Sequence, residues 1–204
     1  MGRPSKSRIT RTGAAEVALE IIDIDGLEAL SLDTVARRLG VKAPSLYYHF
    51  RDKAELLAEV ARFVLLDLGL GEGAPPEPWE EAMVQVCVAT RRTLLKHPNA
   101  APLLLQFFPR HIMLAGYDRW VASCPYPPEM HMTLLEGTEK LTYASALFAA
   151  AAQARGLPAM PEVDTEKLPH LARAMAANPH APEAVFEQAI RTYLTGFRAR
   201  AAQA

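Results

Sequence analysis

Cysteine is nearly absent from this chain: Cys87 and Cys124 are the only two in 204 residues. They are too far apart to form a close metal-binding pair and too few for a disulfide framework. Each reads as a small buried apolar residue, and so little cysteine suits a reducing cytoplasm. Long apolar runs are missing too. Nothing approaches the ~20 uninterrupted residues that a membrane span needs, and the polar, basic N-terminus carries no signal-peptide core. Period-2 alternation persists nowhere, which removes the basis for half-buried strands. The formal net charge is only −1, so overall charge points to neither nucleic acid nor membrane. Enzyme signatures are absent as well: no nucleophile elbow, no His-Glu-x-x-His, no paired cysteines. The glycines of "GLGEGAPPEP", residues 69–78, follow a helix rather than a strand and have the wrong spacing for a phosphate loop, so the segment reads as a helix stop and linker. No catalytic residue, cofactor or metal is expected.

What is present is 3.6-residue periodicity along the whole length, which predicts an all-α chain. Helices are expected over residues 11–25, 32–39, a short third piece ending near 50, 53–68, 79–96, 101–108, 113–123, 128–155, 166–177 and 182–201. Their ends carry recognisable signals. Thr10 and Ser31 suit N-caps, Gly26 and Gly40 suit helix stops, and Leu30 can staple onto Val35. Asp52 and Glu55 form a capping pattern for the fourth helix.

Charge is unevenly placed. Residues 1–11 hold Arg3, Lys6, Arg8 and Arg11 and no acid, whereas residues 54–204 carry 13 basic and 16 acidic side chains. A basic tip on a mildly acidic body suits one anion-seeking end. Beside that tip, residues 32–50 place two short helices either side of Gly40-Val41-Lys42, the layout of a helix-turn-helix. In "APSLYYHF", Leu46 and Phe50 are four apart and share a buried face. Ser45, Tyr48 and His49, flanked by Tyr47 and Lys42, must then face outward as a ridge of hydrogen-bonding groups and rings, which fits a DNA major groove. Lys53, opening the next helix, suits a phosphate contact. The segment "MGRPSKSR" is either a solvated tail or an arm entering the minor groove.

The stretch "ALEIIDIDGLEALSLDTVARRLGVKAPSLYYHFRDKAELLAEV", residues 18–60, closely resembles the DNA-binding domain of the TetR (tetracycline repressor) family. "LLKHPNAAPLLL" and "FEQAIRTYLTGFRA" resemble the C-terminal domain of the tetracycline-repressor branch. The resemblance implies a homodimeric, ligand-responsive transcriptional regulator, usually a repressor, that binds double-stranded operator DNA. An activator, or a helical interaction module that reads no DNA, are the alternatives. By position, the resemblance assigns base or groove contacts to Ala43, Pro44, Ser45, Tyr47, Tyr48 and His49. Phosphate contacts fall to Ser31, Lys42, Tyr47, His49 and Lys53, with Arg3 and Lys6 in the arm. Lys42 stands where relatives usually carry a Ser or Thr cap, and Ala43 offers only apolar contact.

The expected division is a DNA-binding domain over residues 1–53 and an effector-binding and dimerisation domain over 54–204. The helices at 128–155 and 182–201 are the candidates for a dimeric four-helix bundle, through Leu134, Leu141, Ala144, Leu147, Phe148 and Ala151 on the first and Val185, Phe186, Ala189, Ile190, Tyr193, Leu194 and Phe197 on the second, with an intramolecular core as the alternative. An effector pocket is expected between the middle helices. Its apolar lining is drawn from Phe63, Met83, Cys87, Phe107, Phe108, Met113, Tyr117, Trp120 and Met132, and its polar tips from His97 and Glu136. The small-molecule effector itself is not identified by these residues.

Overall fold

A computed structural model describes residues 9–66, 76–178 and 181–203. Arg3 and Lys6 lie outside the described residues, as does most of the 69–78 linker. The described residues contain helices and turns and no strand. Among the described residues ten α-helices follow in order: α1 (Arg11–Asp25), α2 (Leu32–Arg38), α3 (Ala43–Tyr47), α4 (Lys53–Leu66), α5 (Trp79–Lys96), α6 (Leu103–Phe107), α7 (Arg110–Ala122), α8 (Pro128–Ala154), α9 (Pro169–Ala177) and α10 (Pro182–Ala201).

Most boundaries follow the capping chemistry. Thr10 Oγ1 accepts from the Gly13 amide at 3.0 Å, and Ser31 Oγ accepts from the Thr34 amide at 3.0 Å. Three starts differ from the periodicity: α6 begins at Leu103, two residues late, and proline explains the other two. Phe108 precedes Pro109 and is held extended, so α6 stops at Phe107 and α7 begins at Arg110, three residues earlier than expected. Leu168 precedes Pro169 and is also non-helical, so α9 starts at Pro169 rather than near 166.

The chain divides into two compact units, Met1–Gly69 with His97–Ile112, and Leu70–Lys96 with Met113–Ala204. This partition by packing differs from a division at residue 53, because α4 packs against α1 and α6. In the first unit, Ala14, Ala18, Ile21 and Ile22 of α1 meet Val35, Leu46, Phe50, Leu56 and Val60, all at most 2% exposed. Each large aliphatic or aromatic side chain so buried contributes about 1.5–3 kcal/mol.

The second unit is built on α5, α8 and α10. Trp79, Met83, Cys87, Met130, Leu134, Phe186, Ile190 and Leu194 form its core. Ion pairs then tie α10 to α5 on the outside: Arg191–Glu81 at 2.6 Å, Arg198–Glu80 at 3.1 Å and Arg92–Glu183 at 2.6 Å. The expectation that α10 spends its apolar residues on a dimer partner is therefore corrected in part. Phe186, Ile190 and Leu194 face α5 and α8 within one chain, as does Leu134 of α8, whereas Leu141, Ala144, Phe148, Ala151, Val185 and Ala189 are exposed.

Candidate nucleic-acid interface and effector cavity

The turn that sets α3 against α2 is built by the backbone. Gly40 takes φ 68°, a left-handed conformation that glycine adopts at little cost. Its amide donates to the Arg37 carbonyl at 3.1 Å and the Val41 amide donates to the Ala36 carbonyl at 2.9 Å, which closes α2 as a Schellman motif. Lys42 then starts α3 without a side-chain cap, as its residue type implies. Leu46 and Phe50 are 0% and 1% exposed and anchor the helix. What this leaves outside is the predicted ridge. Tyr48 is 88% exposed and Tyr47 52%. Lys42, Pro44 and Ser45 are exposed, while Ala43 and His49 are half-buried. The Tyr48 and His49 rings meet edge to face at 5.3 Å, so each limits the rotamers of the other.

Two basic residues have structural duties that charge counting did not show. Arg11 is a strut rather than part of a free basic tip. Its guanidinium lies 4.5 Å from the Phe50 ring centroid, bonds Glu55 at 2.8 Å and donates to the His49 carbonyl. It thus joins the start of α1 to the end of α3. Lys53 Nζ donates to the Leu27 carbonyl at 3.3 Å, which ties the first turn of α4 to the turn after α1. Ser31 is half-buried with its hydroxyl engaged by the Thr34 amide and hydroxyl. Asp52 caps α4 by accepting from the Glu55 amide at 2.9 Å. The Arg51 amide, with Arg11 behind it, holds the Glu55 carboxyl down at about 2.

In the second unit α5, α7 and α8 surround about 610 Å³ of empty space, part of it open to solvent. The enclosed part is about 80 Å³, so a drug-sized ligand would need the walls to move apart. Met83, Cys87, Met113, Tyr117 and Trp120 line it as expected. The other six expected residues do not. Phe63, His97, Phe107 and Phe108 belong to the other compact unit. His97 Nδ1 instead sits 2.6 Å from Asp23 Oδ2 of α1, and Asn99 donates to the Asp23 carbonyl. Met132 points to solvent, and Glu136 pairs with Lys140 along the surface of α8.

The wall supplied by α8 was missed: Leu135, Thr138, Glu139, Thr142 and Tyr143. Its spacing, i, i+3, i+4, i+7 and i+8, marks one helical face. Polar residues on an otherwise apolar buried face were the available signal. Both threonine hydroxyls turn back to their own helix, Thr138 to the Leu134 carbonyl at 2.9 Å and Thr142 to the Thr138 carbonyl at 2.7 Å. Glu139 accepts from the Tyr117 hydroxyl. Burial and the Glu139 charge push the Tyr143 phenol up, and burial raises the Cys87 thiol to about 11. The lining is therefore mostly apolar, with a few polar groups already hydrogen-bonded. Nothing in it places a nucleophile beside a base. Among the described residues no cluster of His, Cys, Asp or Glu could hold a metal ion, and no helix is long and apolar enough to cross a membrane.

Comparison with known proteins bears on both regions. Residues 15–60 match the family model described as bacterial regulatory proteins, tetR family. The chain is 26% identical over 175 residues to the tetracycline repressor protein class D of Escherichia coli, covering 82% of this chain and 78% of that one. Its fold matches that of TetR from Acinetobacter baumannii AYE, with a TM-score of 0.74 at 21% identity, covering 95% of this chain and 98% of that one. It matches equally the Streptomyces coelicolor TetR family protein ActR in complex with (S)-DNPA, with a TM-score of 0.75 at 24% identity, covering 96% and 100%.

Proposed function

We propose that this chain, a member of the TetR family of bacterial transcriptional regulators, is a cytoplasmic homodimeric repressor that leaves its operator when a small molecule binds among α5, α7 and α8. The observation that carries the DNA-reading half is the division of labour on α3. A helix of five residues keeps Leu46 in its core and turns Ser45, Tyr47 and Tyr48 to solvent. Rings and hydroxyls turned to solvent on a projecting helix add little to the core of the free protein, and they match what a major groove offers. Two copies related by a two-fold axis would place two such helices about one DNA turn apart, ~34–36 Å. The effector half rests on the cavity, whose mostly apolar wall selects an apolar body and whose Tyr117–Glu139 pair offers polar orientation.

Release follows from linkage. A ligand lowers operator affinity only by as much as it prefers the conformation whose reading helices no longer fit the two half-sites. The test is an electrophoretic mobility shift with the DNA flanking the protein's own coding region. The wild type is expected to shift it, and Tyr48→Ala to weaken binding by about tenfold or more, in line with ~1–3 kcal/mol for a good base contact. A wild type that gives no shift at low salt, or a Tyr48→Ala variant that binds as well as wild type, refutes the assignment.

A further inference from the structure

Helix α1 ends on two carboxylates, at the pole of its dipole that disfavours them. Asp23 and Asp25 sit in its last turn, and no basic residue of that turn offsets them. Arg38 of α2 answers Asp25 at 3.7 Å. Asp23 is answered from far along the chain. His97 Nδ1 lies 2.6 Å from Asp23 Oδ2, and Asn99 Nδ2 donates to the Asp23 carbonyl at 3.1 Å. An ionised carboxylate can only accept, so the imidazole carries a proton on Nδ1. The other carboxylate oxygen, Oδ1, is buried and has no hydrogen-bond partner among the described residues. That orphaned oxygen opposes the arrangement, and the short bond to His97 offsets it.

His97 owes its place to Pro98. The residue before a proline is pushed out of helical backbone, so α5 stops at Lys96. His97 then opens the turn towards α6, its carbonyl accepting from the Ala100 and Ala101 amides at 3.0 Å. It is one peptide bond beyond the helix that gives Met83, Cys87 and Thr90 to the cavity. On the α1 side, four residues after Asp23, the Leu27 carbonyl holds the Lys53 ammonium at 3.3 Å. Lys53 is the phosphate contact that the resemblance assigns to α4. Short stretches of chain therefore join this polar cluster to a cavity helix at one end and to a DNA-facing cation at the other. The cluster grips residue 23 by side chain and by backbone, which fixes the rotation of that turn as well as its position. His97 and Asn99 both lie beyond residues 15–60, the part that matches the family model.

We propose that Asp23, His97 and Asn99 form the joint through which the end of α5 governs operator affinity. Engaged, the joint holds the last turn of α1, and with it Leu27 and Lys53, in the DNA-reading position. Hydrogen bonds weaken steeply with distance and angle, so a small displacement of Lys96 releases it. Once released, both carboxylate oxygens of Asp23 reach water, which compensates the broken bond. Two arrangements of similar free energy are what a ligand needs in order to shift one into the other. The inference rests on the operator binding and the effector cavity proposed above and adds the element that links them.

Fluorescence anisotropy on labelled DNA from beside the coding region tests this on the full chain. His97→Leu is expected to weaken binding about tenfold, within the usual range of coupling between sites. His97→Asn, whose amide nitrogen can take the place of Nδ1, is expected to restore most of that loss. Asn99→Ala is expected to weaken binding about threefold, and it carries the test if His97→Leu loses helicity by circular dichroism. Cys87→Phe builds a ring into the cavity as a stand-in for a ligand, with Thr90→Met in its place if that variant unfolds. The filled cavity is expected to weaken binding about tenfold in the wild-type background and less than about threefold beside His97→Leu. A purely structural His97 would leave that double-mutant cycle additive. Equal losses in the two backgrounds, or a His97→Leu variant that binds DNA as tightly as wild type, would overturn the joint and leave repression standing. A filled cavity that leaves wild-type binding intact would overturn release by a ligand, and the coupling with it. A wild type that binds no DNA would overturn the proposed function itself.

Discussion

Glu55 shows how much one side chain can hold together at the residue scale. It accepts from the Arg51 amide at 2.9 Å and from Arg11 at 2.8 Å, and so links the start of α4 to the start of α1 behind the reading helix. Its carboxyl is lowered from 4.5 to about 2, first by the Arg51 amide and then by Arg11. A folded value below the unfolded one means stability that is complete above pH ~4.5 and is lost as pH falls towards 2. Glu55→Gln is therefore expected to lower the melting temperature at neutral pH and to flatten its fall over that acid range. Thermal unfolding followed at pH 7, 4 and 3 measures both effects. An equal drop at every pH would show that Glu55 acts by packing alone. The same residue explains a misjudged one. Arg11 belongs by sequence to the basic tip, but two acids and an aromatic ring capture it.

At the scale of elements, the crossing of α8 and α10 depends on one missing side chain. A Cβ at Gly137 would fall 1.8 Å from the Tyr193 hydroxyl, which donates to the Thr133 carbonyl at 2.8 Å. In an exposed helix, Gly→Ala would stabilise by roughly 1 kcal/mol. Here the tyrosine ring must move, and overpacking costs about 1–3 kcal/mol. Gly137→Ala is expected to lower the melting temperature, and Tyr193→Ala in the same chain to remove the penalty, a coupling that a double-mutant cycle reads directly. If Gly137→Ala raises the melting temperature, the crossing is looser than the contact implies. The pocket wall on α8 belongs to this scale too. Thr138 and Thr142 are buried because α5 packs over their face of α8.

For the whole molecule, the bearing of charge on DNA is local. A chain of net charge −1 has no general attraction to a polyanion, so any phosphate contacts must come from the end that carries Lys42, Lys53 and the N-terminal basic residues. Operator binding through 6–10 phosphates would lose about 10³–10⁵ in affinity between 50 and 200 mM salt. Fluorescence anisotropy on a labelled operator at several salt concentrations gives the slope, and a slope near zero would exclude a phosphate-led interface.

Much was legible before any folding was considered. Helix starts at Thr10 and Ser31, the stop at Gly40 and the outward ridge of α3 were set by residue types within a few positions of one another. Local hydrogen bonds and a buried pair four apart leave little choice there. The candidate cavity was only half legible. Met83, Cys87, Met113, Tyr117 and Trp120 were found because large apolar residues on middle helices have few places to go. Phe63, His97, Phe107 and Phe108 have the same character, but long-range packing sends them to the other unit, and His97 to Asp23. Likewise, α10 has apolar residues enough for an internal core and for a partner. Only packing against α5 and α8 decides that Phe186, Ile190 and Leu194 stay inside while Val185 and Ala189 stay out. The sequence by itself determined the helices, their caps and the outward ridge of α3, because those depend on neighbours a few positions away. Tertiary structure alone decided which helical faces enclose the cavity and which helix faces stay exposed, because those depend on which distant surfaces meet.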